Sequence, residues 1–423
     1  MINAFVVLTI FAPVLGIPLG LAGLTKNVKN WKPYIFCIAL SLAGFAYSYS
    51  PAGNSDLASY IKVFDSFREQ SFWEAVTYSG TSSGGYGSGL FAFYAFAWLI
   101  GKIGDYHLAS AITVFFIYYI GFYVTCKVGE DIGAKTRSII GYLLFIILAL
   151  NFHAVINNLR NVFAFALIGC AVFRDCYLKK RNIWTLLLYV IPIFFHTTAI
   201  LYVLIRVIFI IPRKLKGIVA LILLGTSTII AFLYNILYRI QSSNFIVKLF
   251  VFAVQKGYAF FNDTSSNWGL IVQRSGSQRL SRIVYITIAI VMCISVVIIF
   301  RRSRKNGGTT DVIAEKRYEN IIDLPFYTGL MAISCVQMLM PEYWRFASVL
   351  ILFGAPIYLL GERCLARRTK WLFVNSVLLL TCVCTALWVR EFIKEGVLLD
   401  MAAKSLLSSP IIVLVMDSLG FVL

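Results

Sequence analysis

Three side chains stand out for the chemistry they can do. His196 lies in Phe194-Phe195-His196-Thr197-Thr198, within an otherwise apolar stretch over 184–211. A near-neutral imidazole takes a proton from a hydroxyl or holds that hydroxyl by a hydrogen bond. The plainer reading is a helix-breaking histidine bonded to a backbone carbonyl. Arg160 and Arg345 each stand directly before an apolar stretch, 162–171 and the one beginning near Phe346. Arginine presents a planar fork of donors that suits phosphate oxygens, and it keeps its charge in low dielectric. A helix start adds backbone donors and the positive end of a dipole. Read together, these residues suit an anion beside a proton acceptor. As plainer alternatives, Arg160 anchors at an interface or pairs with Asp56, and Arg345 pairs with Glu342.

Other candidates flank these three. Asn157 precedes Arg160 in Asn157-Asn158-Leu159-Arg160-Asn161, and Glu342 and Tyr343 precede Arg345 in Pro341-Glu342-Tyr343-Trp344-Arg345. The polar region 239–282 carries Arg239, Lys248, Lys256, Arg274, Arg279 and Arg282 against the single acid Asp263. Each of these alone is a solvated cation; as a cluster, Arg274, Arg279 and Arg282 extend the anion reading. Asp56 and Tyr60 suit sugar hydroxyls, and Tyr60, Phe64 and Phe67 at helical spacing give a short amphipathic helix lying on a membrane. His153 and His107 carry weaker signals. Three histidines with neither H-x-x-x-H nor H-E-x-x-H make no metal site, and no cofactor is expected. The nine cysteines form no disulfide framework, and Cys382 and Cys384 read as helix filling.

These residues must be positioned by membrane helices. Hydrophobic residues make up 60% and charged residues 13% of 423 residues, with mean hydropathy +0.82, against about 45–50% and about 25% in soluble domains. That excludes a soluble enzyme, a disordered chain and a disulfide-stapled secreted domain. The fold class is all-α, a polytopic integral membrane protein with about 11–14 transmembrane or re-entrant helices at about 20 residues per span. Candidate spans are 3–24, 33–49, 89–103, 107–125, 138–151, 161–178, 184–211, 218–238, 283–300, 323–340, 346–361, 371–389 and 405–423. With no room for a soluble module, residues 1–423 form a single polytopic domain with extracytoplasmic loops 50–88 and 239–282. No Lys or Arg precedes Lys26, so the first helix is expected to remain in the membrane rather than be cleaved.

The net charge of +19 follows topology, because Lys and Arg collect on the inner side. The basic clusters are Lys26/Lys29/Lys32, Lys135/Arg137, Arg174/Lys179/Lys180/Arg181, Arg213/Lys214/Lys216, Arg301/Arg302/Arg304/Lys305 and Arg363/Arg367/Arg368/Lys370. Trp31, Trp184 and Trp371 flank three of them as an interfacial belt. With 174–181 and 213–216 on one side, 184–211 must leave and return. Each half covers only about 18–23 Å, against roughly 30 Å of hydrocarbon. The segment is therefore expected to be a helical hairpin with His196 near its tip, lining a cavity that holds water. The same count leaves one conflict: of 89–103 and 107–125, one must be partial.

At these residues the chain resembles the EpsG-like branch of the Wzy-type polysaccharide polymerases. The resemblance rests on the early loop with Asp56 and Tyr60, Arg160 at the head of a helix ending in a Lys/Arg cluster, the Phe195-His196 pair before an apolar helix, and the late Arg345. It covers roughly residues 30–365. Asn161 stands where the family usually has Gln, Thr197 where a small residue or Pro follows the His, and the early loop lacks the arginine that often precedes its Asp. The resemblance implies a bacterial inner-membrane glycosyltransferase with a GT-C-like fold and a site facing the periplasm. Its substrates would be oligosaccharide repeat units on undecaprenyl pyrophosphate, joined in O-antigen, capsule or exopolysaccharide synthesis. A chain-length regulator and a flippase would be its partners, with no nucleic acid.

In that chemistry Arg160 and Arg345, helped by Arg279 and Arg282, stabilise the departing pyrophosphate. His196 takes the proton of the attacking hydroxyl or orients it, with Asp56 or Glu342 as alternative bases. An O-antigen ligase would share these features, and a glycolipid flippase or other transporter would instead carry arginines through its full depth. A membrane O-acyltransferase would carry its His early, whereas the first 100 residues hold none.

Overall fold

The computed structural model describes residues 2–51, 55–78, 89–237, 247, 251, 254, 276–305, 316–335 and 342–396. Every regular element among them is helical, as expected of an all-α polytopic membrane protein. Among the described residues three helices are long and apolar enough to cross a bilayer, and two bent pairs raise the number to five if each is one span.

The long helices are α7 (His107–Asp131), α15 (Gly276–Lys305) and α19 (Arg367–Lys394); α8 (Thr136–Ala149) follows α7, and α16 (Lys316–Ser334) packs against α15. Two expected spans are broken instead. α13 (Arg213–Leu224) and α14 (Thr226–Leu237) bend by 72°, and α17 (Glu342–Phe353) and α18 (Ala355–Cys364) by 57°. At the second break Pro356 lies in the first turn of α18. It has no N–H to donate back, and its ring clashes with the carbonyl four residues earlier. The first expected span is likewise divided, by Pro13, into α1 (Ile2–Phe11) and α2 (Pro13–Lys26), and α3 (Lys32–Tyr47) packs against α2.

The conflict in the crossing count falls on α6 (Phe91–Ile103). Its 13 residues span about 20 Å, whereas the 25 residues of α7 span about 37 Å. Pairs from Lys127 to Glu130 (3.1 Å) and Asp131 (2.7 Å) carry α7 past its apolar stretch. α6 lies beside α4 (Asp56–Phe67) and α5 (Phe72–Val76). A Cβ at Gly101 would sit 2.4 Å from the Phe64 carbonyl oxygen, so only glycine lets the two backbones approach this closely. Lys102 donates to the Arg68 carbonyl at 2.6 Å and Trp98 to that of Gln70 at 3.1 Å. α4 is amphipathic, but its apolar face lies inside the protein and not on a membrane: Leu57, Tyr60, Phe64 and Phe67 are buried, with Tyr60 against Phe93 and Phe67 against Tyr94 of α6. Burying each such side chain contributes about 1.5–3 kcal/mol.

The hairpin over 184–211 is present. α11 (Ile183–Val190) tightens into a 3-10 turn over Ile191–Phe194, His196 is extended (φ −153°, ψ 116°), and a second 3-10 turn leads into α12 (Ile200–Ile208). Its open end closes on one carboxylate. Asp175, in the π-helical turn Phe173–Tyr177 that ends α10 (Asn161–Val172), accepts from Arg181 before the hairpin (2.6 Å) and from Arg206 on its return (2.7 Å). The tip meets the other end of α10, 14 positions away, which is about 21 Å along the axis. The outward face, including Trp184, Leu186, Leu204 and Val207, is exposed apolar surface. The inner face packs Phe195 on Phe163 (5.3 Å) and Tyr202 on Phe165 (4.7 Å).

The chain next to two other basic clusters, those beginning at Lys135 and Arg363, adjoins the Asp175 end. Tyr177 donates to Asp131 at 2.9 Å, and Arg363 donates to the Ile132 carbonyl at 2.7 Å. α10 thus runs from this end to the Arg160 end.

Candidate functional site

The site is built at the head of α10. α9 (Phe152–Asn157) stops at Asn158, whose φ −101° and ψ 60° are not helical, and α10 restarts at Asn161 with Arg160 at its N-cap. The break turns Arg160 toward α4. Its Nε donates to the Tyr60 hydroxyl at 3.2 Å, and its guanidinium carbon lies 5.4 Å from the Tyr60 ring centroid and 5.1 Å from that of Phe93 on α6. The aromatic faces attract the cation. Tyr60 is itself fixed by burial and an edge contact with Phe93 at 5.5 Å. α4 is started by Ser55, whose hydroxyl accepts from the Ala58 N–H at 3.1 Å; Asp56 occupies the first turn, where the dipole favours an acid.

One residue further on, the buried Asn161 amide sits between His196 and Arg345. Its orientation follows from its neighbours. The end facing two Arg345 donors must be oxygen, and the end facing Nε2 of His196 is then nitrogen. Oδ1 accepts from Nε and Nη2 of Arg345, both at 3.2 Å, and Nδ2 donates to His196 Nε2 at 2.5 Å. Nε2 is thereby the unprotonated nitrogen of a neutral ring, and Nδ1–H donates to the Thr198 hydroxyl. Phe165 holds the ring edge-on at 5.8 Å. The extended backbone at His196, between two 3-10 turns, aims the imidazole at α10 rather than at lipid.

Arg345 reaches this point from the first turn of α17, where the Ser348 hydroxyl donates back to the Trp344 carbonyl at 2.6 Å. The Arg345 and Arg160 charges both act on His196 and on Asp56. Asp56 keeps an exposed side chain. The protein packed around it raises its carboxyl above the ordinary range, and Arg345 and Arg160 pull it only part of the way back. His196, Arg160 and Arg345 are half-buried, so the cluster combines a neutral imidazole, two guanidinium groups and an acid within reach of one another.

The remaining candidates divide. Arg282 lies over the Tyr343 ring at 5.7 Å, and Tyr343 donates to the Gln278 side chain at 3.5 Å, so the start of α15 abuts the start of α17. Arg279 is exposed one turn earlier. Asn157 joins a different cluster: it donates to the Tyr49 hydroxyl at 3.1 Å and to the His153 carbonyl at 3.0 Å. There Glu395, just past α19, accepts from Tyr49 at 2.9 Å and contacts His153 at 2.9 Å. Burial pushes the Glu395 carboxyl up, but the His153 and Tyr49 contacts outweigh it and hold the group below its ordinary value. Arg274, the Glu342 side chain, the basic residues Arg239, Lys248 and Lys256, and span 405–423 lie outside the described residues.

Two working parts of the cluster escaped the sequence reading. Asn161 was legible only as an opener of α10, and Thr198 only as a neighbour of His196. Among the described residues no group of His, Cys, Asp and Glu could hold a metal ion. Cys382 is exposed and Cys384 buried on α19, and both are free.

Neither a curated protein nor a solved structure matches the chain. The model of the EpsG family matches residues 31–399, which include α3 through α19 and every residue of the cluster at the head of α10, and the chain belongs to the EpsG family.

Proposed function

We propose that this protein is a polysaccharide polymerase that joins oligosaccharide repeat units carried on undecaprenyl pyrophosphate, at the periplasmic face of a bacterial inner membrane. Membership of the EpsG family supports a polymerase-like role in polysaccharide biosynthesis in general, and the long apolar helices mark a membrane protein. The observation that carries the finer reading is the Asn161 amide, which ties the imidazole of His196 to the guanidinium of Arg345 beside Arg160. An acid–base group and an anion-binding group are thereby held at one fixed separation.

The reaction uses them as follows. A sugar hydroxyl of the acceptor unit takes the place of the Asn161 N–H at His196 Nε2. As its oxygen bonds to the anomeric carbon of the donor, the hydroxyl proton passes to Nε2. The bond from that carbon to the pyrophosphate oxygen breaks, and the electron pair leaves with the pyrophosphate. Charge grows on the leaving group during this step, so Arg345 and Arg160 stabilise the transition state more than the ground state. The activated donor supplies the driving force, and no metal or nucleotide is called for.

The test is the glycan profile of cells in which the chromosomal copy carries His196→Ala or Arg160→Ala. Single repeat units without a ladder, at normal protein levels, are expected from each. A normal ladder from both overturns the mechanism. Polymer accumulating on its lipid carrier in a deletion strain would assign the ligase reaction instead.

A further inference from the structure

At the opposite end of α10 from this site, a cavity of about 400 Å³ opens between the start of α8 (Thr136–Ala149), the end of α18 and the first turn of α19. That is within the range of about 300–1,000 Å³ of small-ligand sites. Gly133, Lys135, Ser138, Glu362, Arg363 and Lys370 are among its lining residues.

The wall is rigid. α7 ends with Ala134 N–H donating to the Gly129 carbonyl at 2.8 Å and Gly133 N–H to that of Glu130 at 3.1 Å, with Gly133 at φ +63°. This is the paired-bond helix ending that favours glycine. Arg363 is pinned across it by its bond to the Ile132 carbonyl. The cations outnumber the acid three to one. The Lys135 and Lys370 ammonium groups make no ion pair among the described residues, and α8 starts without a side-chain cap. Glu362 contributes the one acidic group, with Oε2 shut off from water and without a hydrogen bond among the described residues. It is an acceptor awaiting a donor.

The surroundings point to a lipid rather than a soluble anion. Trp371 follows Lys370 and is 63% exposed, as an interfacial aromatic is. Beyond it, the outward Leu372, Leu378 and Leu379 of α19 form an apolar track. We infer that this cavity binds the headgroup of an anionic phospholipid that carries hydroxyls, a phosphatidylglycerol, with its acyl chains along α19. The phosphate diester sits among Lys135, Arg363 and Lys370, and a glycerol hydroxyl donates to Glu362. Basic pockets between membrane helices bind anionic headgroups in this way.

Native mass spectrometry of the full chain in detergent tests this without any glycan substrate, so its outcome is separable from the polymerase reading. One phosphatidylglycerol is expected to bind at least tenfold more tightly than phosphatidylcholine, with phosphatidic acid between them. The double variant K135Q/K370Q should lose at least tenfold in phosphatidylglycerol affinity. K135R/K370R, which keeps the charge, should retain it, as should K26Q/K29Q elsewhere on the basic clusters. An equal loss in K26Q/K29Q, or no preference for phosphatidylglycerol in the native protein, overturns the inference. Displacement of the lipid by inorganic phosphate at equal concentration also overturns it, by making the cavity a soluble-anion site. Thermal melting in lipid-free detergent confirms that each variant folds.

Discussion

α10 gathers arginines at both ends, and the two sets are held differently. At the Asp175 end, Arg181 and Arg206 converge on one carboxylate at 2.6 Å each, with Tyr189 donating to it at 3.4 Å. The charges there are used up in closing the hairpin. At the Asn161 end, a phenol and two aromatic faces hold Arg160, and an amide oxygen holds Arg345. Neutral dipoles orient both cations here, and Asp56 stands at the same cluster within the field of the two charges. One end is therefore closed by ion pairs to a single acid, and the other joins one of its cations to an imidazole through an amide.

Substitutions that exchange the two behaviours sharpen this contrast. Arg345→Ala should cost about 100- to 1,000-fold in polymerisation, the usual loss on removing a donor from developing negative charge, while thermal melting stays near wild type. Asp175→Asn should do the reverse. It strands Arg206, and breaking a buried pair costs about 3–5 kcal/mol, with this partly exposed pair toward the lower end; melting should fall steeply, and activity only with the amount of folded protein. If the two variants share one phenotype, the comparison fails.

Tyr60→Phe keeps the ring under Arg160 but removes the acceptor, so a loss of about 0.5–1.5 kcal/mol, or threefold to tenfold in rate, is expected. The smallest effect belongs to Glu395. Its carboxyl is held below the ordinary value of 4.5, so it stabilises the fold above that pH and the contribution is lost as pH falls through the lowered value. Glu395→Gln should melt lower than wild type at neutral pH, and the two curves should converge as pH falls through the lowered value. A gap that persists in acid would assign the effect to packing instead of charge.

Much of the site was legible because membranes constrain sequence so strongly. The length of 184–211 and the basic clusters on both sides required a short hairpin, which placed His196 at a tip. Arg160 and Arg345 stood out as cations far from the basic clusters. Contacts that depend on how the chain turns between helices were not legible. Asn157 and Asn161 are four apart, and on one continuous helix they would share a face. The break at Asn158 separates them, sending Asn157 to Tyr49, His153 and Glu395, and Asn161 to His196 and Arg345. Likewise 89–103 and 107–125 look alike in hydropathy. Only the close approach of Gly101 to Phe64, and the charged pairs that lengthen α7, decide which is the short one.

The residue sequence by itself determined that this is an all-α membrane protein, which segments are apolar, and that three polar groups with complementary chemistry lie at helix ends. Those properties follow from composition and spacing, because hydrocarbon admits only apolar helices whose backbone is internally satisfied. The tertiary structure alone decided that an asparagine joins the imidazole to one guanidinium while a phenol holds the other. Such partners lie 35 to 184 positions apart in the chain, and their meeting depends on helix breaks and packing that local residue type does not encode.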